Sequence, residues 1–235
     1  MTKRKIALVL AMMLVLSLLA GCGGKETGTT ETKAPATEAP VTEALQENNM
    51  ALGIVEGNTY SNTYVNIGVT LDSGWVLYGA DALQEWPDAV KEMMEGSELG
   101  DALADVTQFT DMYAENVEGL TNMNILFQKL TLQQRLAYAT MDEQEVLEAT
   151  LGQKDLMVEA YAQGGINVES MEIVKVTFLG KEHYAMKTVA ETQGVAYYCL
   201  QVFDYWLGEY SVTITLASFL EDNTEAMLEL FYELN

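Results

Sequence analysis

The chain has 235 residues, with 12 Lys+Arg against 35 Asp+Glu and a formal net charge of −23. So acidic a surface repels phosphate backbones and anionic headgroups, which excludes DNA or RNA as a partner. With two cysteines and one histidine in the whole chain, no zinc-type set of Cys and His ligands can be assembled.

The N-terminus carries the sharpest local signal. Lys3, Arg4 and Lys5 form a positive start, Ile6 to Ala20 an uncharged apolar run, and Leu19, Ala20, Gly21 and Cys22 close it. The run of fifteen residues reaches about 22 Å as a helix, short of the roughly 30 Å hydrocarbon core. Small residues ahead of a cysteine let a signal peptidase read the chain in extended form and cut before Cys22. The segment resembles the lipobox of bacterial lipoproteins. That resemblance implies a signal peptide over 1–21, a diacylglycerol thioether on Cys22, and anchoring to the extracytoplasmic face of the bacterial plasma membrane. Two acyl chains hold a protein stably where one is marginal. Cleavage removes three basic residues and no acid, which takes the net charge from −23 to −26. That charge keeps the exported chain soluble and off its own anionic membrane; it also favours cationic partners or divalent cations. With Cys22 acylated, Cys199 has no partner and no disulfide is expected.

Residues 22–49 are rich in Thr, Glu, Ala, Gly and Pro and hold almost no large apolar side chain, so they read as a disordered tether. A flexible coil of about 26 residues reaches roughly 28 Å. Residues 50–235 are one domain's worth of chain.

Alternation over Asn58–Leu71 predicts one or two strands, and Leu71-Asp-Ser-Gly-Trp75 a turn. Asp81 with Gln84 reads as a capping box, followed by Leu83, Trp86, Val90, Met93 and Met94 at helical spacing, with Pro87 as a potential break. Thr107–Val117 and Asn122–Leu130 read as two strands joined near Gly119. Thr140–Ala162 reads as one helix, with Asp142, Glu143 and Glu145 favourable in its first turn and Gly164-Gly165 as its stop. Four strands follow: Glu172–Leu179, His183–Val189, Val195–Trp206 and Glu209–Ala217, with Leu207-Gly208 as a tight hairpin. In the last, Tyr210, Val212, Ile214 and Leu216 alternate with Ser211, Thr213 and Thr215, which predicts one buried and one polar face. A final helix is expected from about Asp222, with Met227, Leu230, Phe231 and Leu234 on one stripe.

Strands, a helix, a long antiparallel run and a last helix predict an α+β fold: a central antiparallel sheet with helices packed on both faces. Val195–Trp206 is apolar on both alternating sets, which suits a central strand covered on both sides.

The order of Gly68-Val-Thr-Leu-Asp-Ser-Gly-Trp75, Asp111-Met-Tyr-Ala-Glu115, Asn122-Met-Asn-Ile-Leu126, Tyr210-Ser-Val-Thr-Ile-Thr215 and a closing amphipathic helix resembles the α/β/α sandwich of PsbP-like and Mog-type proteins and of many bacterial lipoproteins. The resemblance covers roughly residues 58–235. It implies an adaptor or assembly factor that binds other proteins, with no catalytic residue, cofactor or metal to assign.

The chemistry-bearing residues point the same way. His183, in Lys-Glu-His-Tyr after a turn, lacks the Gly-x-Ser-x-Gly elbow of a hydrolase and reads as a surface residue. Glu143, Glu145 and Glu148 read as a solvated helix face. Cys199, within an apolar strand, reads as a buried structural thiol. Tyr197, Tyr198, Phe203, Tyr205 and Trp206 read as core and cross-strand ladder, with Tyr205 and Trp206 also candidates for an aromatic platform facing a sugar or peptide. The expected function is a non-enzymatic, membrane-anchored module that binds another envelope protein. The alternative is an envelope binding protein for a small molecule, glycan or divalent cation. An enzyme would need an apolar pocket holding two carboxylates.

Overall fold

The computed structural model describes residues 51–83, 108–207 and 209–234, the side chains of 204–207 excepted. The lipobox, the tether and the predicted helix through Trp86 to Met94 lie outside these residues. The described part is one α+β domain of mostly antiparallel sheet.

Its first elements are strands β1 (Ile54–Glu56), β2 (Thr59–Asn62), β3 (Ile67–Thr70) and β4 (Trp75–Gly79), then a short helix α1 (Ala80–Leu83). Strands β5 (Gln108–Asn116) and β6 (Thr121–Lys129) follow. Their hairpin turns at Gly119, whose φ of 69° lies in the region open to glycine. Helices α2 (Leu132–Tyr138), α3 (Glu143–Leu151) and α4 (Lys154–Gln163) come next. The long meander is β7 (Asn167–Phe178), β8 (Lys181–Thr192), β9 (Val195–Leu207) and β10 (Tyr210–Phe219), and the chain closes with α5 (Thr224–Leu228) and β11 (Phe231–Glu233).

Two antiparallel sheets result, ordered β1-β2-β3-β11 and β4-β5-β6-β10-β9-β8-β7. Their facing sides share one core. Tyr60, Ile67, Val69 and Phe231 of the small sheet meet Met112, Ile125, Phe127, Leu200, Val202 and Ile214 of the large one. The opposite side of β7, β8 and β9 packs under the helices, with Leu147, Met157 and Tyr161 on Met171, Met186, Tyr197, Cys199 and Phe203. Strand β9 is thus covered on both faces, as its double apolar pattern requires. Helices α3 and α4 cover one face, while the small sheet and the short α5 share the other, where a full helical layer was expected.

Four local expectations are corrected. The stretch expected as one helix over Thr140–Ala162 is two helices, α3 and α4, with α2 ahead of them. Thr131 and Gln134 form a capping box on α2, Asp142 and Glu145 a second one on α3, and the chain turns at Gly152-Gln153. The apolar period runs straight through that turn, from Leu147 and Thr150 to Met157 and Tyr161, so periodicity conceals it.

The final helix stops after five residues, and Phe231–Glu233 becomes a strand on β3. Here Tyr232 lies flat over Gly68, where any Cβ would collide with its ring, and its hydroxyl meets Thr70 Oγ1 at 3.1 Å. Phe231 reaches the intersheet core from the strand as Met227 does from the helix, so the same apolar spacing serves both conformations. Asp81, expected as a cap, is the second residue of α1.

The fourth concerns β10. Its Ser211, Thr213 and Thr215 face is as buried as its apolar face, at 6%, 3% and 1% exposed.

Candidate functional site

Strand register places a band of polar side chains across the helix side of the large sheet. Tyr113, Asn124, Thr215 and Gln201 form one row from β5 to β9. Glu115, Asn122, Ala217 and Cys199 form the next. Gln128 and Ser211 continue the band toward the other end. Strand alternation explains the placement: Met123, Ile125 and Phe127 point into the intersheet core, so Asn122, Asn124 and Gln128 point the other way. Asn122, Asn124, Gln128 and Gln201 are all buried. Gln201 donates through Nε2 to Thr215 Oγ1 at 3.3 Å. Its Oε1 and the Oδ1 of Asn122 are buried with no hydrogen-bond partner. On one flank α1 packs Leu83 against Tyr113 and Tyr78. Burial first, and then the Glu115 carboxylate beside it, hold the Tyr113 phenol far above its usual range. On the other flank lie α3 and α4. The alternation of β10 predicts a polar face of Ser211, Thr213 and Thr215, which the fold buries as part of this band. The Asn-x-Asn spacing of β6 is the signal for the rest.

A second buried polar group ties the two sheets together. The register of β5 on β6 slips by one residue between Thr110 and Met112, which turns Asp111 toward the small sheet. Its Oδ2 accepts from the Tyr60 hydroxyl at 2.6 Å and Asn62 Nδ2 at 2.7 Å. Its Oδ1 accepts from the Gly53 N–H at 2.9 Å. Asp111 is fully buried, and burial together with its carboxyl drives the Tyr60 phenol far above its usual range.

At the end of the sheet where β5 stops, the surface is apolar. Val117 and Leu220 are 67% and 57% exposed. Leu220 holds φ at 71°, a backbone region that bulky side chains avoid, while its N–H bonds Ala196 O. Phe219 N–H bonds Leu120 O, which brings this corner against the β5–β6 turn. Exposed Glu118 and Glu221 flank the two apolar residues.

The residues singled out from the sequence are spread apart. Tyr205 and Trp206 lie in β9, opposite the start of β10, with side chains outside the described set. His183 leaves the open surface to meet Glu143 Oε1 through Nδ1 at 3.1 Å, so Glu143 leaves the solvated row with it. Glu145 caps α3 and Glu148 accepts from Gln144. Cys199 is buried, and burial pushes its thiol up to about 11 against the opposing pull of the Tyr197 and Tyr161 hydroxyls. Among the described residues no group of three metal-ligating side chains converges. No helix among them is long and apolar enough to cross a membrane.

No family model and no curated protein matches the sequence. Among solved structures the chain is similar to the solution structure of cyanobacterial PsbP (CyanoP) from Synechocystis sp. PCC 6803. The two are 12% identical, the match covers 82% of this chain and 98% of that one, and the TM-score is 0.40.

Proposed function

We propose that this protein is an extracytoplasmic lipoprotein, held to the plasma membrane through Cys22, that acts as a non-enzymatic adaptor for another envelope protein. The α/β/α form of the PsbP-like and Mog-type sandwich belongs to this reading, supported by α3 and α4 on one face of the large sheet and α5 on the other.

The observation that carries the adaptor reading is the exposed corner of Val117 and Leu220 with Glu118 and Glu221 beside it. An apolar centre within a charged rim is the pattern of a protein contact. Its chemistry fits a partner with an apolar pocket and a basic rim. The corner also lies at the far end of β5 from the Asp111–Gly53 bond, where the chain enters the domain. Six residues of strand separate Asp111 from Val117, about 20 Å at roughly 3.4 Å each. A tether entering at one end leaves the other free to meet a partner, at a local concentration that anchoring raises.

The test is in-cell crosslinking of the full-length protein beside Cys22→Ala and Leu220→Asp forms. One protein partner, lost in both variants, is the expected result. A partner profile that ignores Leu220→Asp refutes the assigned surface. A protein that stays on membranes as Cys22→Ala refutes the anchor. A second reading, binding of a small molecule, glycan or divalent cation, is favoured by one observation, the buried polar band.

A further inference from the structure

Among the described helices, α2 alone has no buried residue. Leu132 and Leu136, one turn apart on the same face, are each 64% exposed. The capping box of Thr131 and Gln134 holds the helix in shape although the described residues leave that face uncovered. The charge around α2 is as unusual as its exposure. The chain has 35 acidic residues, yet residues 120–141 contain none and include Lys129 and Arg135. Arg135 meets Glu209 Oε1 at 3.5 Å. Lys129 is exposed and has no ion-pair partner among the described residues.

The chain enters the domain at the end that carries α2. The helix follows the close of β6, where Gln128 pairs with Gln108 and the Leu130 N–H bonds Glu209 O. β1 runs antiparallel to β2, so the residues before Ile54 run back beside Asn62, whose amide donates to Ala51 O. The turn after Asn62 places the Tyr64 ring against Phe127, the neighbour of Gln128. Leu52, another exposed apolar residue, therefore lies toward the α2 end. Val117 and Leu220 lie at the opposite one.

We infer that the α2 end of the domain rests on the phospholipid bilayer that holds the Cys22 anchor, with Leu132 and Leu136 at the headgroup–acyl boundary and Lys129 and Arg135 at the lipid phosphates.

Area and charge favour a bilayer over a protein at this end. Two leucines expose only a small part of the roughly 1,200 Å² that a specific protein contact buries. A tethered domain needs far less, because the anchor already confines it and docking becomes intramolecular. Apolar side chains bordered by Lys and Arg are the pattern of a helix lying in a membrane interface. The net negative charge opposes approach of the domain as a whole. Repulsion between exposed charges fades beyond about 8 Å at physiological salt, so the acid-free stretch is the part that can come close. Docked this way, the domain turns the Val117 and Leu220 corner away from the bilayer. The contact rests on the lipid-anchor reading and is independent of the partner assigned to that corner.

The test uses the full-length protein purified from membranes and reconstituted in vesicles of phosphatidylglycerol and phosphatidylethanolamine. An environment-sensitive thiol dye is placed by Leu132→Cys or, as control, by Val117→Cys; Cys199 is buried and does not compete for it. Nitroxide-labelled lipid in the vesicles quenches a dye at the boundary. Blue-shifted emission and quenching are expected at position 132, and neither at position 117. Leu136→Asp should weaken docking about tenfold, the loss of one leucine's burial, while the protein still floats with the vesicles and its thermal melt is unchanged. Protein that floats while the dye at position 132 stays unquenched overturns the inference and leaves the anchor standing. Equal quenching at both positions, or quenching at 132 that ignores Leu136→Asp, also overturns it. So does a dye at 132 already shielded in vesicle-free Cys22→Ala protein, which would mean that the chain itself or a second copy covers α2. Protein that does not float removes the anchor, and membrane docking with it.

Discussion

Replacing Asp111 with alanine would leave three donors facing a space with no acceptor: the Gly53 N–H, the Tyr60 hydroxyl and the Asn62 amide. A buried donor stripped of its partner loses about 1–3 kcal/mol. Tyr60 and Asn62 are almost wholly buried, while the Gly53 bond is only partly so and can recover water. The sum is about 3–5 kcal/mol, a large part of the 5–15 kcal/mol typical of a domain. For a domain of this size that corresponds to a fall in Tm on the order of 10 °C. Urea unfolding of the full chain, followed by circular dichroism, measures it. Tyr60→Phe alone removes one bond and should lose about 1 kcal/mol. The double variant should then lose less than the two single losses together, because no unsatisfied hydroxyl remains. A loss below about 1 kcal/mol for Asp111→Ala, or strict additivity in the double variant, would refute the claim that this carboxyl joins the two sheets.

Three other outcomes are expected. Cys199, buried and with its thiol pushed up to about 11, should react with iodoacetamide at neutral pH only as fast as the domain unfolds; faster labelling contradicts its burial. For the Asp222 carboxyl, burial pushes the pKa up, but the Lys187 ammonium at 2.7 Å and the Thr224 hydroxyl and N–H outweigh it and hold the group below its ordinary 3.8. Its stabilisation is therefore complete above that ordinary value and is lost as pH falls through the lower folded value. The urea midpoint of Asp222→Asn should converge on that of the unmodified chain in acid, and a gap that widens there would reverse the sign. Leu220→Gly should relieve the positive φ and raise stability by about 1 kcal/mol while the crosslinked partner is lost. Stability and partner lost together would make Leu220 a structural residue.

Much of this architecture is local in origin. Period-two alternation and turn residues specify the hairpins β5–β6, β7–β8, β8–β9 and β9–β10, since a strand's two faces are written in adjacent residues. The caps Asp142 and Glu145 identify the start of α3 because a capping box spans four residues. The lipobox pattern at Leu19 to Cys22 likewise lies in consecutive residues. Other features depend on groups far apart in the chain. Phe231–Glu233 is a strand because β3 offers an edge and Gly68 offers room for Tyr232, 164 residues away; its own spacing suits a helix equally well. Asp111 meets Tyr60, Asn62 and Gly53 only because β5 slips its register on β6, which no period within β5 records. The polar face of β10 reads as a solvent face in isolation. It becomes a buried band when β6 and β9 set Asn122, Asn124 and Gln201 beside it, because strand pairing decides which side chains become neighbours and tertiary packing decides whether water reaches them.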